Sequence, residues 1–198
     1  MFNGNPQPIT ATMAVIQLGT LIAVFVYFAS DIFGIAKAFV RDHLALVGSR
    51  SGIRFSGADG VRPVWLSAEA WLGWLIIIGS IPIGTLGLIF KEFIESKTTK
   101  NLWVIATMLI VIAIFLAVAE RVGSQQKELG NFGIGDALAV GFAQVLALIP
   151  GASRSGSTIM GGLLVGQKRE AAARFSFLLS IPAITASGLL ELREAVRI

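Results

Sequence analysis

The stretch Ile134-Gly-Asp-Ala-Leu-Ala-Val-Gly-Phe-Ala-Gln-Val-Leu-Ala-Leu-Ile-Pro-Gly-Ala-Ser-Arg-Ser-Gly-Ser-Thr-Ile-Met-Gly-Gly-Leu-Leu-Val-Gly166 decides how this chain folds. Two apolar pieces flank Pro150-Gly151, and each is too short to cross a hydrocarbon layer of roughly 30 Å at about 1.5 Å per residue. Arg154 is the only charge between Asp136 and Lys168. Two half-length helices around a Pro-Gly break describe a re-entrant hairpin, a discontinuous helix spanning residues 134–166. Broken backbone at membrane depth must be buried in protein or line a cavity.

Outward from this stretch the chain is organised as spans and connectors. Residues 11–30, 70–90, 102–119 and 175–190 contain no Asp, Glu, Lys or Arg. Only 14% of the 198 residues are charged and 55% are hydrophobic, whereas a soluble domain carries about 25% charged residues. Spans are therefore expected at 11–30, 68–90, 102–119 and 174–190. The expected fold class is an all-α, polytopic membrane helical bundle, forming a single membrane domain over 1–198. Gly79-Ser-Ile-Pro82 is expected to interrupt the second span, since a mid-helix proline frees a carbonyl. The connector at 31–67 is expected to hold an amphipathic stretch over Ile32–Val47.

Charge placement orients the bundle. Connectors 31–67 and 120–135 carry five and two Lys/Arg against three in 91–101, which puts the first two in the cytoplasm. The net charge of +4 arises at span ends, so it gives no sign of nucleic-acid binding. No cysteine is present to form disulfides or thiolate metal sites. The first thirty residues contain no Lys or Arg, unlike a cleaved signal with a basic start.

Arg154 is the focus of the chemistry. An intramembrane arginine costs several kcal/mol and must face a polar cavity or partner. Ser153, Ser155, Ser157 and Thr158 supply hydroxyls, and Gly151 and Gly156 permit close backbone approach. Residues 155–158 also open a helix, whose first N–H groups are unpaired and partly positive. Guanidinium, hydroxyls and a helix N-terminus make an anion site, above all for phosphate. The competing reading pairs Arg154 with Asp136 or Glu120 and makes the serines structural. Gly161, Gly162 and Gly166 read as helix-packing residues. Gln17 and Gln144 are costly to bury unpaired, and either line the cavity or bond across helices. His43 reads as a solvated or interfacial residue beside Arg41 and Asp42, and Glu170 with Arg174 as a helix-surface pair. Gly161 to Lys168 is not a P-loop, because Gln precedes the Lys and no strand leads into it.

Gln144-Val-Leu-Ala-Leu-Ile-Pro-Gly-Ala-Ser-Arg-Ser-Gly-Ser-Thr158 resembles the undecaprenyl-diphosphate phosphatase family, the bacitracin-resistance phosphatases of bacteria. Val15-Ile-Gln-Leu-Gly-Thr-Leu-Ile-Ala-Val24, Ile81-Pro82 and Arg174-Phe-Ser-Phe-Leu-Leu-Ser-Ile-Pro182 agree, so the resemblance covers about 9–192. It implies hydrolysis of undecaprenyl diphosphate to the monophosphate carrier used in cell-wall synthesis, in the plasma membrane with the site facing the exterior. By position, Arg154 would hold the diphosphate and Ser153 is a candidate nucleophile, while Gly151, Ser155, Gly156, Thr158 and Gln144 would bind phosphate. It also implies one half of an inverted-repeat architecture and a divalent cation, Mg or Ca, held by a Glu-x-x-x-Glu pair. That pair stands before the Val15 span in the family and has no match here. No metal ligands are therefore expected in these residues, which read as a fragment lacking the N-terminal acidic hairpin and C-terminal spans. A polyprenyl-phosphate transporter and an inactive lipid-binding module are the alternatives, and the expected partners are the lipid, the membrane and a homo-oligomer.

Overall fold

A computed structural model describes residues 19, 22–48, 55–56, 62–63, 65–90 and 101–196. Most of the expected first span, 11–30, lies outside them, as does Gln17; residues 22–27 are helical. Helix α1 (Ala29–Gly48) follows, so the amphipathic stretch is a 20-residue helix. A two-stranded antiparallel hairpin, β1 (Phe55–Ser56) with β2 (Arg62–Pro63), interrupts the connector. Then come α2 (Ala68–Ile89), α3 (Leu102–Val122), α4 (Ile134–Val145), α5 (Arg154–Leu164) and α6 (Arg169–Val196).

The architecture is all-α, and α2 and α3 are long and apolar enough to cross a bilayer. Only 11% of the most apolar window of α3 is buried. Trp103, Ile110, Ile114 and Phe115 face outward. An apolar helix left this bare suits lipid as its solvent. Helix α2 is not interrupted at Pro82: it stays helical to Ile89. Its Ser67 cap accepts from the Ala70 N–H at 3.3 Å, and Thr85 Oγ1 donates to Ile81 and Pro82 carbonyls just past the proline. Helix α3 runs three residues beyond the expected end at 119. The expected span at 174–190 is the middle of the 28-residue α6.

Glycine crossings set the layout. Gly141 of α4 lies so close to Gly79 of α2 that a Cβ on it would overlap the Gly79 carbonyl oxygen. A core of Trp71, Leu75, Phe132, Ala137, Val140, Phe175 and Leu179 fills the space between α2, α4 and α6. Trp71 Nε1 donates to the Phe132 carbonyl at 2.9 Å, satisfying its one polar atom in that core.

Helices α4 and α5 are 12 and 11 residues long, each about half the length of a span. The Leu146–Leu148 turn and Pro150-Gly151 separate them. Gly161 packs against Val140 and Ala143, residues on the far side of the break, so the chain doubles back. The hairpin's entry and exit are joined: Lys127 N–H donates to the Gly166 carbonyl, and Lys168 N–H to the Lys127 carbonyl, both at 2.9 Å. Its tip reaches the opposite ends of α2 and α3, with Leu148 over Gly87 and Gly151 against Ile105.

Candidate functional site

The tip presents the start of α5. Gly151 has φ +94, a left-handed conformation that glycine tolerates, and it abuts the backbone of Ile105. Ser153 is the N-cap of α5, its Oγ accepting the Gly156 N–H at 3.2 Å. Gly156 packs against Ile112, so from Gly151 to Gly156 the chain passes from Ile105 to Ile112 along α3, about 10 Å. Arg154 stands between these two levels. The first-turn amides of Arg154 and Ser155 have no intrahelical acceptor and point along the positive end of the helix dipole.

The pairings open to Arg154 resolve in the structure. Asp136 accepts Lys127 Nζ at 2.7 Å and the Gly133 N–H at 3.0 Å, capping α4. Glu120 pairs with Arg169. Neither acid touches Arg154, and among the described residues its buried Nη1 has no hydrogen-bond partner. A half-buried guanidinium at a helix N-terminus, with no acid against it among the described residues, has the chemistry to receive an anion.

Hydroxyls surround it unequally. Ser153 and Ser155 are exposed, their oxygens 3.4 Å apart. Thr158 is buried, and its Oγ1 reaches the Arg154 carbonyl at 2.9 Å, the Ser155 carbonyl at 3.2 Å and Ser176 Oγ at 2.5 Å. Gln144 and Ser157 are both wholly buried, and neither side chain has a partner among the described residues. They lie one helical turn nearer the tip than the Val140–Gly161 contact, on the facing sides of the hairpin. Buried polar groups without partners are rare and call for a function or a further partner.

Three residues differ from their expected surroundings or were missed. His43, expected to be solvated or interfacial, is half-buried: its ring stacks on Phe39 at 4.1 Å and lies among Trp65 and Trp74. Trp74 Nε1 donates to His43 Nε2 at 3.1 Å, so Nδ1 carries the proton and donates to the Phe39 carbonyl at 2.6 Å. Arg174 does not pair with Glu170; it reaches Asp31 of α1 at 2.5 Å, a partner 143 residues away. Gln167, buried against Gly162 with no partner for its side-chain amide among the described residues, lies outside the expected site, with only its place between Gly166 and Lys168 to mark it.

No group of three or more His, Cys, Asp or Glu converges among the described residues. The donors gathered at the tip, a guanidinium, amides and neutral hydroxyls, suit an anion and are a poor set for a hard divalent cation. The fold is that of an all-α protein with two helices long and apolar enough to cross a bilayer and a short helical hairpin between them and α6. Residues 1–197 match the family described as bacitracin resistance protein BacA, and the chain belongs to that family. It is 49% identical to an undecaprenyl-diphosphatase of Syntrophobacter fumaroxidans over 192 residues, 97% of this chain and 64% of that protein. It is 48% identical to an undecaprenyl-diphosphatase of Pseudarthrobacter chlorophenolicus, and 46% to undecaprenyl-diphosphatase 2 of Agrobacterium fabrum. Each of these two matches covers 96% of this chain and 62% of the relative. The chain therefore spans a little under two thirds of the length of the curated relatives it matches.

Proposed function

We propose that the hairpin tip receives the terminal phosphate of undecaprenyl diphosphate and serves its hydrolysis to undecaprenyl phosphate and inorganic phosphate. The observation that carries this reading is the Nη1 of Arg154 at the start of α5, which has no partner among the described residues. The names of the relatives supply the substrate and the reaction, and favour neither transport nor an inactive module. Arg154 and the Arg154 and Ser155 amides would bind the non-bridging oxygens, where charge grows as the phosphoryl group transfers. Ser155 would add a hydroxyl, while Gly151 and Gly156 keep side chains out of the approach. Gln144 would line the cavity behind the tip.

Attack at phosphorus by water gives inorganic phosphate directly, and attack by Ser153 Oγ gives a phosphoserine that a water then hydrolyses. In both, the bond to the bridging oxygen breaks, that oxygen leaves with the lipid monophosphate, and the nucleophile's proton passes to solvent. Ser153 is committed to capping α5, and no base lies against it among the described residues. The cation implied by the family would draw its ligands from carboxylates that the tip does not supply.

The same reading places the protein in the bacterial plasma membrane with α4–α5 re-entrant, as half of an inverted repeat. Joined entry and exit segments and a tip at the far ends of α2 and α3 support it. The positive-inside count then turns the tip toward the exterior. Phosphate release from undecaprenyl diphosphate, compared with Arg154→Ala in the same membranes, tests the reading. Undiminished release by the variant would remove Arg154 from the mechanism.

A further inference from the structure

The closest contact between two hydroxyls among the described residues lies behind Arg154. Thr158 Oγ1 and Ser176 Oγ are 2.5 Å apart, and both residues are almost wholly buried. Thr158 has a single hydroxyl proton, and its two other neighbours, the carbonyls of Arg154 and Ser155, only accept. Either hydroxyl could donate across the contact by distance alone; with the Thr158 proton given to the carbonyls, the Ser176 proton fills the contact between the hydroxyls. The result is a directed relay from Ser176 through Thr158 to the backbone of Arg154.

Ser176 is itself held at a fixed depth by its two neighbours. Arg174 pairs with Asp31 of α1 at 2.5 Å. Phe175, fully buried, packs edge-on against Phe132 with ring centres 5.4 Å apart. Three consecutive residues of α6 thus grip α1, the connector before α4, and α5.

We propose that Ser176 is a positioning residue for Arg154, acting through the Thr158 hydroxyl to fix the first turn of α5 at the depth where the guanidinium meets phosphate. This deepens the phosphatase reading and rests on it. It also gives Thr158 a task other than touching phosphate, because its oxygen is turned inward and already occupied. A relay of this kind stiffens the turn without entering the reaction, so its loss lowers turnover more than it weakens substrate capture.

The test compares the wild-type protein in detergent micelles with Ser176→Ala, Ser176→Thr, Thr158→Val and the double variant Ser176→Ala/Thr158→Val. Two quantities are measured: kcat and KM for phosphate release from undecaprenyl diphosphate, and hydrogen–deuterium exchange of the amides of 155–159. Ser176→Ala should lower kcat roughly tenfold, move KM less, and speed exchange in the first turn of α5. Ser176→Thr, which keeps the hydroxyl, should recover most of both. The double variant should be no worse than Thr158→Val alone, since the two hydroxyls act as one unit. Multiplying losses in the double variant, or wild-type kcat in Ser176→Ala, would overturn the relay. Should the wild-type protein release no phosphate, the phosphatase reading fails, and exchange alone decides this inference. Unchanged protection of 155–159 in Ser176→Ala would then sink it.

Discussion

Gly151 lies flat against the backbone of Ile105, where a Cβ on Gly151 would overlap the Ile105 carbonyl oxygen. The same residue has φ +94, so a side chain meets both backbone strain and steric conflict. Gly151→Ala is expected to cost about 2 kcal/mol or more and to push the tip away from α3. Thermal unfolding in detergent and phosphate release should both fall. A variant as stable as wild type would show that the tip tolerates displacement.

Arg154→Met separates a structural arginine from a ligand-binding one. A buried cation that pairs with a protein acid is destabilising to remove, whereas an unpaired one is costly to keep. Asp136 and Glu120 are engaged by Lys127 and Arg169. Arg154→Met should therefore leave the unfolding midpoint unchanged or raise it, while diphosphate affinity drops at least about tenfold. A marked loss of stability would mean that Arg154 has a protein partner.

Ser153 has two separable duties, capping α5 and offering a nucleophile. Asparagine caps helices about as well as serine, and alanine loses about 1 kcal/mol. Ser153→Asn should match wild type in stability and Ser153→Ala should fall below it. The phosphate-release rates then assign the attack. Activity retained in Ser153→Asn points to water, and activity lost in a stably folded Ser153→Asn points to the serine oxygen.

Asp42 makes the link between α1 and α2 sensitive to pH. Burial acts most strongly on its carboxyl and tends to raise its pKa, but Ser67's hydroxyl and amide and the Arg41 guanidinium together outweigh it, so the value lies below the usual 3.8. The Ser67 N–H donates to Asp42 Oδ2 at 2.7 Å. A folded value below the unfolded one gives stability that is present above 3.8 and lost as pH falls through the folded value. The midpoint difference between wild type and Asp42→Asn should hold steady from about pH 8 to 5 and shrink below about pH 4. A difference that persists at low pH would assign the link to packing alone.

How much of this was legible in the sequence depended on how far apart the interacting residues lie. The break at Pro150-Gly151 and the two short helices beside it could be read directly, because a proline, a glycine and apolar run lengths are local signals. Arg154 stood out because its neighbours for many residues are uncharged. Pro82 misled, since a proline inside a long apolar helix removes one hydrogen bond without ending the helix. Partners distant in the chain left no trace: Arg174 lies nearer in sequence to Glu170 than to Asp31, and nothing local tells which acid is nearer in space. His43 likewise sits between charged residues in sequence but among aromatic rings in the fold. Ser176 carries no signal of its own, because one serine in an apolar helix does not show what it faces.

The hairpin tip leans on Gly87 and Ile105, residues that leave the ribosome before it, while its bolt, Ser176, emerges after it. During synthesis α4 and α5 can settle onto a finished scaffold yet remain loose until α6 arrives. Arrested nascent chains ending before and after α6 should differ in protease protection of the tip. On the phosphate-binding reading, a site assembled in this order is withheld from the membrane's phosphates until α6 has docked.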